Sequence, residues 1–192
     1  MTKLPPNNLE ASSKRAAIPI MAALGVIVAL MTAAAFWLIV FFLPIKTAAV
    51  VFSDTSTCQL PSTFSLKWRH SVEKQYWQEV YQVKFSQLIL TKTYLQTFGA
   101  GTPSTGTPTP APQGYLGEMV NLPMNELNWL VSNNMQGEIL MGDTLTSAHD
   151  TLPIYQLVSD HSEVIIKPMQ LTLWQNWHFP SCQSLTNPTH QG

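Results

Sequence analysis

From Ala16 to Ile45 no side chain carries a charge, and Thr32 supplies the one hydroxyl. An α-helix rises about 1.5 Å per residue and a bilayer's hydrocarbon core is about 30 Å thick, so roughly 20 apolar residues cross it. The run exceeds that length and predicts one membrane-spanning helix over about Ile18 to Leu43. A cleaved signal peptide also begins with basic residues, and Thr47-Ala48-Ala49 resembles a cleavage site. The apolar core of a signal peptide is only about 7–15 residues, however, so length favours a retained anchor. No cysteine follows closely enough for a lipoprotein anchor.

This feature partitions the chain. It predicts a disordered polar tail over 1–15, rich in proline, asparagine and serine, and a transmembrane helix over 16–45. Beyond it come a domain over 46–182 and a polar tail over 183–192. Lys3, Lys14 and Arg15 precede the helix against Glu10 alone, whereas seven basic residues face ten acidic ones after it. Basic flanks stay on the cytoplasmic side, which places the N-terminus inside and the domain outside. A net charge of −1 argues against nucleic acid as a partner; the partner the helix implies is the lipid bilayer. Cys58 and Cys182 bracket the exported domain. In an oxidising compartment such a pair is expected to bond. No CxxC spacing occurs, so neither a metal nor a cofactor is expected.

Within the helix, Pro19 sits in the first turn, where its missing N–H is harmless. Gly25, Ala29 and Ala33 recur every fourth residue on one face, a stripe that admits close approach of another helix. Phe36, Trp37, Phe41 and Phe42 crowd the outer end.

Beyond the helix the apolar period changes to two. Phe64, Leu66, Trp68 and His70 alternate with polar residues, followed by Tyr76–Phe85 and Leu88–Leu95. These read as three strands of a meander. Residues 102–114, with four prolines and two glycines, read as an exposed flexible loop. Met124, Leu127, Leu130 and Val131 fall at helical spacing and predict a short helix over 123–133. Ile139–Met141 reads as a brief strand. Thr151–Leu157, Glu163–Ile166 and Met169–Trp177 read as three more, with Lys167-Pro168 as a turn. The expected fold is mainly β: a single transmembrane helix followed by a small periplasmic β-sandwich or barrel-like domain with one short helix.

Catalysis is not expected. His70 and Ser71 are adjacent on a strand end and point to opposite faces, so the histidine is badly placed as a base for that hydroxyl. His149-Asp150 and Asp160-His161 read as turn chemistry. Glu73 and Glu79, close to Arg69 and Lys74, read as solvated ion pairs. A sharper alternative makes Arg69, His70 and Glu73 one polar patch for a partner or a small anion. The glycines of Phe98-Gly99-Ala100-Gly101 signal close backbone approach.

Three segments in order carry a resemblance: Trp68-Arg69-His70-Ser71-Val72-Glu73-Lys74, then Glu79-Val80-Tyr81-Gln82-Val83, then Phe98-Gly99-Ala100-Gly101-Thr102-Pro103. Together they resemble a bacterial periplasmic domain family of unknown function associated with TAXI-type TRAP transporters. Asp160-His161-Ser162-Glu163-Val164 is similar to a weaker second half. The resemblance implies His70, Ser71, Glu73, Glu79 and Phe98 to Gly101 as the family's site. It also implies a TRAP permease membrane subunit, and a TAXI-type solute-binding protein, as partners. The function expected is a non-catalytic accessory subunit of such a transporter in a bacterial inner membrane. A periplasmic ligand-binding or sensor module, and an envelope assembly or secretion-system subunit, are the alternatives.

Overall fold

The computed structural model describes residues 8–97, 106–142 and 151–185. The chain divides after Leu43 into a helix and a β-domain. Helix α1 runs from Asn8 to Phe42, so residues 8–15, expected within a disordered tail, form its first turns. Its stretch Met21–Phe42 has a mean hydropathy of 2.5 and is long and apolar enough to cross a membrane, a test that a signal sequence also passes. Leu24, Ile27, Leu30, Trp37 and Leu38 are all more than half exposed. A helix apolar all round belongs in a membrane or a large core.

The β-domain starts at once. Its strands are β1 (Pro44–Val51), β2 (Thr57–Leu60), β3 (Thr63–Arg69), β4 (Tyr76–Lys84), β5 (Gln87–Leu95) and β6 (Thr107–Thr109). They continue with β7 (Leu116–Met124), β8 (Leu127–Val131), β9 (Glu138–Met141), β10 (Thr151–Leu152) and β11 (Ser162–Thr172). Two short helices, α2 (Ile154–Leu157) and α3 (Leu173–His178), and a 3-10 turn at Cys182–Leu185 complete it. The strands form two antiparallel sheets, ordered β2-β1-β11-β8 and β10-β9-β3-β4-β5-β7-β6. Phe64, Leu66, Tyr81, Val83, Leu88 and Leu90 of the larger sheet share one core with Ala48, Val50, Trp129, Val131, Val164 and Ile166 of the smaller. Phe64 and Tyr81 are cross-strand partners with rings stacked 5.5 Å apart, a pairing that stabilises adjacent strands.

Cys58 and Cys182 are disulfide-bonded, 124 residues apart in sequence. Beside the bridge, Gln59 N–H donates to Pro180 O at 2.8 Å, so the C-terminal segment is fastened to β2 by backbone as well.

The mainly β class and the β3–β4–β5 meander are as expected. The position of the short helix is not. Residues 123–133 end β7 and form β8, in which Trp129 and Val131 face the core while Leu130 is exposed. Pairing of β8 with β11 overrides the helical spacing. The expected Lys167-Pro168 turn lies inside β11. There β8 pairs only with Ser162–Ile166, so Pro168 sits at an open edge that admits proline. The stretches expected to end in strands at Leu157 and Trp177 end in α2 and α3 instead. Thr172 caps α3, accepting from Gln175 N–H while the Gln175 side chain accepts from Thr172 N–H. Within the expected flexible loop, Thr107–Thr109 is edge strand β6. The 3-10 turn Cys182–Leu185 takes up the first residues of the expected polar tail.

Candidate functional site

One end of the larger sheet gathers Arg69, His70, Ser71 and Glu73. Strand β3 ends at Arg69, and residues 70–75 turn the chain into β4. His70 N–H donates to Gln75 O at 2.8 Å, Lys74 N–H donates to His70 O at 3.0 Å, and Lys74 takes a positive φ of 58°. The turn carries Glu73 back onto His70, with its carboxylate against Nδ1. On its other side the imidazole stacks on Trp77, 4.4 Å between ring centroids, and Trp77 packs against Trp68 at 6.1 Å. Ser71 is exposed.

Arg69 does not open onto solvent as part of a free patch. Its Nη2 donates to Asn134 O at 3.0 Å and to Asn134 Oδ1 at 2.9 Å, which clasps the β8–β9 connection. Tyr76 N–H donates to Gln96 Oε1 at 2.9 Å, and Thr97 Oγ1 donates to Gln75 Oε1 at 2.5 Å. The His-Ser-Val-Glu turn therefore meets the residues that lead directly into Phe98. Phe98, Gly99, Ala100 and Gly101 themselves lie outside the described residues, as do His149 and Asp150.

Glu79 corrects the expectation of a solvated ion pair. On β4, residues 77, 79, 81 and 83 share the face that looks into the core. Glu79 accepts a hydrogen bond from Tyr81 Oη at 2.5 Å. Burial pushes its carboxyl above the ordinary carboxylate range, and the Tyr81 bond only partly opposes this. Burial, with the Glu79 carboxylate beside it, pushes the Tyr81 phenol far upward as well.

Sequence reading missed two neighbours of Glu79. The β4–β5 and β5–β7 registers both break at Thr91, whose Oγ1 donates to Val80 O at 3.0 Å. A bulge residue resets the alternation of faces. Without it Lys92 would follow Leu88 and Leu90 into the core; with it Thr93 does. Thr93 is then the cross-strand partner of Glu79 on one side and of Glu118 on the other. Thr93 is fully buried, and among the described residues its Oγ1 has no hydrogen-bond partner; nor have Glu118 Oε2 and Trp77 Nε1. Gly106 lies over Glu118, where an added Cβ would stand 2.8 Å from Oε2. The Glu79 carboxyl, a hydroxyl and a second carboxyl thus line up across three strands. Such a row offers hydrogen-bond donors and acceptors in a site where each unmade bond is costly. No signal in the sequence marks the bulge, so Thr93 and Glu118 were not foreseeable as neighbours of Glu79.

On α1, Gly25, Ala29 and Ala33 are all exposed, and a Cβ on Gly25 would meet nothing within 4 Å.

No curated protein matches the sequence, and no solved structure matches it either. From β3 through β9, however, the chain holds the His70 turn, the Glu79–Thr93–Glu118 row and the Phe98–Gly101 segment, and this stretch, residues 64–147, matches the family model of a domain of unknown function, DUF1850.

Proposed function

We propose that the protein is a membrane-anchored, non-catalytic accessory subunit of a TAXI-type TRAP solute transporter, assisting complex stability or docking of the solute-binding protein. In this reading α1 is a retained span of a bacterial inner membrane, with its N-terminus cytoplasmic and the β-domain periplasmic. The observation that carries it is the convergence of the resembling segments. The His70–Glu73 turn meets the residues leading into Phe98 at one end of the sheet whose strand β4 also carries Glu79, on a domain that follows an apolar helix directly. The disulfide agrees with an oxidising compartment. The Gly25/Ala29/Ala33 face would meet the permease. Co-purification with an epitope-tagged permease in mild detergent tests the proposal, and repeated absence of the permease refutes it. Gly25→Leu with Ala29→Leu tests the helix face: unchanged association makes the helix a plain anchor.

A ligand-binding module is the second reading, favoured by the buried Thr93 Oγ1, which has no partner among the described residues and lies between two carboxyl-bearing cross-strand neighbours. A thermal-shift screen with small dicarboxylates and amino acids discriminates. A ligand-dependent shift that Thr93→Val abolishes supports binding, and no shift with any candidate supports a scaffold.

A further inference from the structure

The end of the β-domain at which the chain enters brings exposed aromatic residues beside lysines. Pro44 is the cross-strand partner of Thr172, and α3 begins at the next residue. Lys46 is the partner of Gln170, whose Nε2 donates to Ser86 Oγ at 2.7 Å. The tip of the β4–β5 hairpin, Phe85-Ser86, is thereby held at this same end, and Lys46 Nζ stands 4.9 Å from the centroid of the Phe85 ring.

The aromatic residues here are turned outward. Phe85 is 85% exposed and Trp177 is 83% exposed, with Trp174 and Leu173 more than one-third exposed. They are not loose. The side chain of Gln59 donates to Asn176 O at 3.0 Å and to Phe179 O at 3.3 Å, and this anchors α3 from its inner side and leaves Trp177 projecting. Phe85 is also placed against local preference. Phe85 and Ser86 take positive φ values of 47° and 67° in a two-residue hairpin loop, a geometry that favours Asn-Gly. A bulky residue at positive φ is strained, and such strain persists where the side chain serves a purpose. Lys84, next to Phe85, is exposed.

Exposed tryptophan and phenylalanine flanked by lysine are the composition of a membrane–water interface, where the rings sit among headgroups and ammonium groups meet lipid phosphates. What names the occupant is the chain itself. Helix α1 ends at Phe42, so Pro44 lies at most about 7 Å further along the backbone. If α1 crosses a bilayer, the membrane surface lies next to Pro44, and neighbouring strands are only about 4.8 Å apart. We infer that the end of the domain bearing Phe85 and Trp177 is seated in the headgroup layer of the membrane that α1 spans, with Lys46 and Lys84 toward the lipid phosphates. This rests on α1 being a retained span, and the test separates the two.

The full chain is reconstituted in vesicles of phosphatidylcholine and phosphatidylglycerol, with and without phosphatidylcholine brominated high on its acyl chains. Comparing wild type with Trp37→Phe gives the emission of Trp37, within α1. Comparing wild type with Trp177→Phe gives that of Trp177, whose exposure makes the substitution harmless to folding. Seating predicts that bromolipid quenches most of both components. Quenching of Trp37 without Trp177 overturns the seating and leaves the span intact. Quenching of neither removes the span and the seating together.

Discussion

The imidazole of His70 lies nearly parallel to the indole of Trp77, ring centroids 4.4 Å apart and planes 19° from coplanar, while the Glu73 carboxylate holds its Nδ1 from the other side. Two residues of the expected polar patch, His70 and Glu73, thus pack with Trp77 at the end of a sheet, while the third, Arg69, is bound to Asn134. Aromatic stacking of this kind contributes about 1 kcal/mol beyond burial. His70→Ala is expected to lower unfolding free energy in urea by about that amount or somewhat more, and His70→Phe, which keeps the stack, to recover much of it. Equal loss in both variants would show that the Glu73 contact dominates.

Glu79 gives a pH signature. Its carboxyl is raised by burial, so the folded chain holds a proton where the unfolded chain has released it. Native protons exceed unfolded ones in that window. Stability attributable to this group therefore falls as pH rises from the ordinary carboxylate range, about 4.3, through the raised value. Glu79→Gln removes the effect while still accepting from Tyr81. The variant should melt above wild type at neutral pH, with the difference shrinking on acidification below about pH 4. A difference that does not change with pH counts against a buried carboxyl.

The Cys58–Cys182 bridge closes a span of 124 residues. The chain-entropy relation assigns about 5 kcal/mol to a loop of that order. Cys58→Ser with Cys182→Ser, or reduction of the wild type, should lower the urea midpoint without moving the β-sheet circular dichroism of the native state. An unchanged midpoint would mean that the bridge constrains little in the unfolded chain.

At the hairpin tip, Phe85→Asn with Ser86→Gly supplies the residues that a two-residue loop with positive φ prefers. The exchange should stabilise the domain by about 1 kcal/mol and, if the tip is seated in lipid, weaken that seating. Stability and vesicle quenching of Trp177 then move in opposite directions.

Gly137 is sterically fixed. A Cβ there would stand 2.7 Å from Cζ2 and 2.8 Å from Cη2 of Trp129, a ring only 9% exposed in the core. Gly137→Ala should cost about 1–3 kcal/mol, as overpacking does, with a change in near-ultraviolet circular dichroism as the indole shifts. Retention of both signal and stability would show that the core has slack around Trp129.

What could be read in advance followed the physics of each signal. Phe64, Leu66 and Trp68 alternate with Ser65 and Lys67, so β3 was legible from period alone, and β4 from its aromatic and β-branched content. The apolar length of α1 needed no tertiary context. Met124 to Val131 misled because four apolar positions satisfied a helical spacing, while the pairing of Leu127–Val131 with Ile166–Ser162 that decides the matter is not local. Pro168 misled for a related reason, since only the order of strands shows that its edge is open. Of the site, His70 and Glu73 do lie together, as their spacing allows, but their surroundings were not legible. The bulge at Thr91 turns Thr93 inward and brings Glu118 into line, and a one-residue change of parity leaves no trace in composition or pattern.

The bond from Cys58 to Cys182 makes everything between them a covalent ring, and the ring contains all of the sheet that carries His70, Glu79 and Thr93. A protease that cuts one peptide bond inside it releases no fragment. Both new ends remain tied through β1 to α1, so a single nick inside the ring leaves every piece attached, and losing one takes a second cut or a reductant.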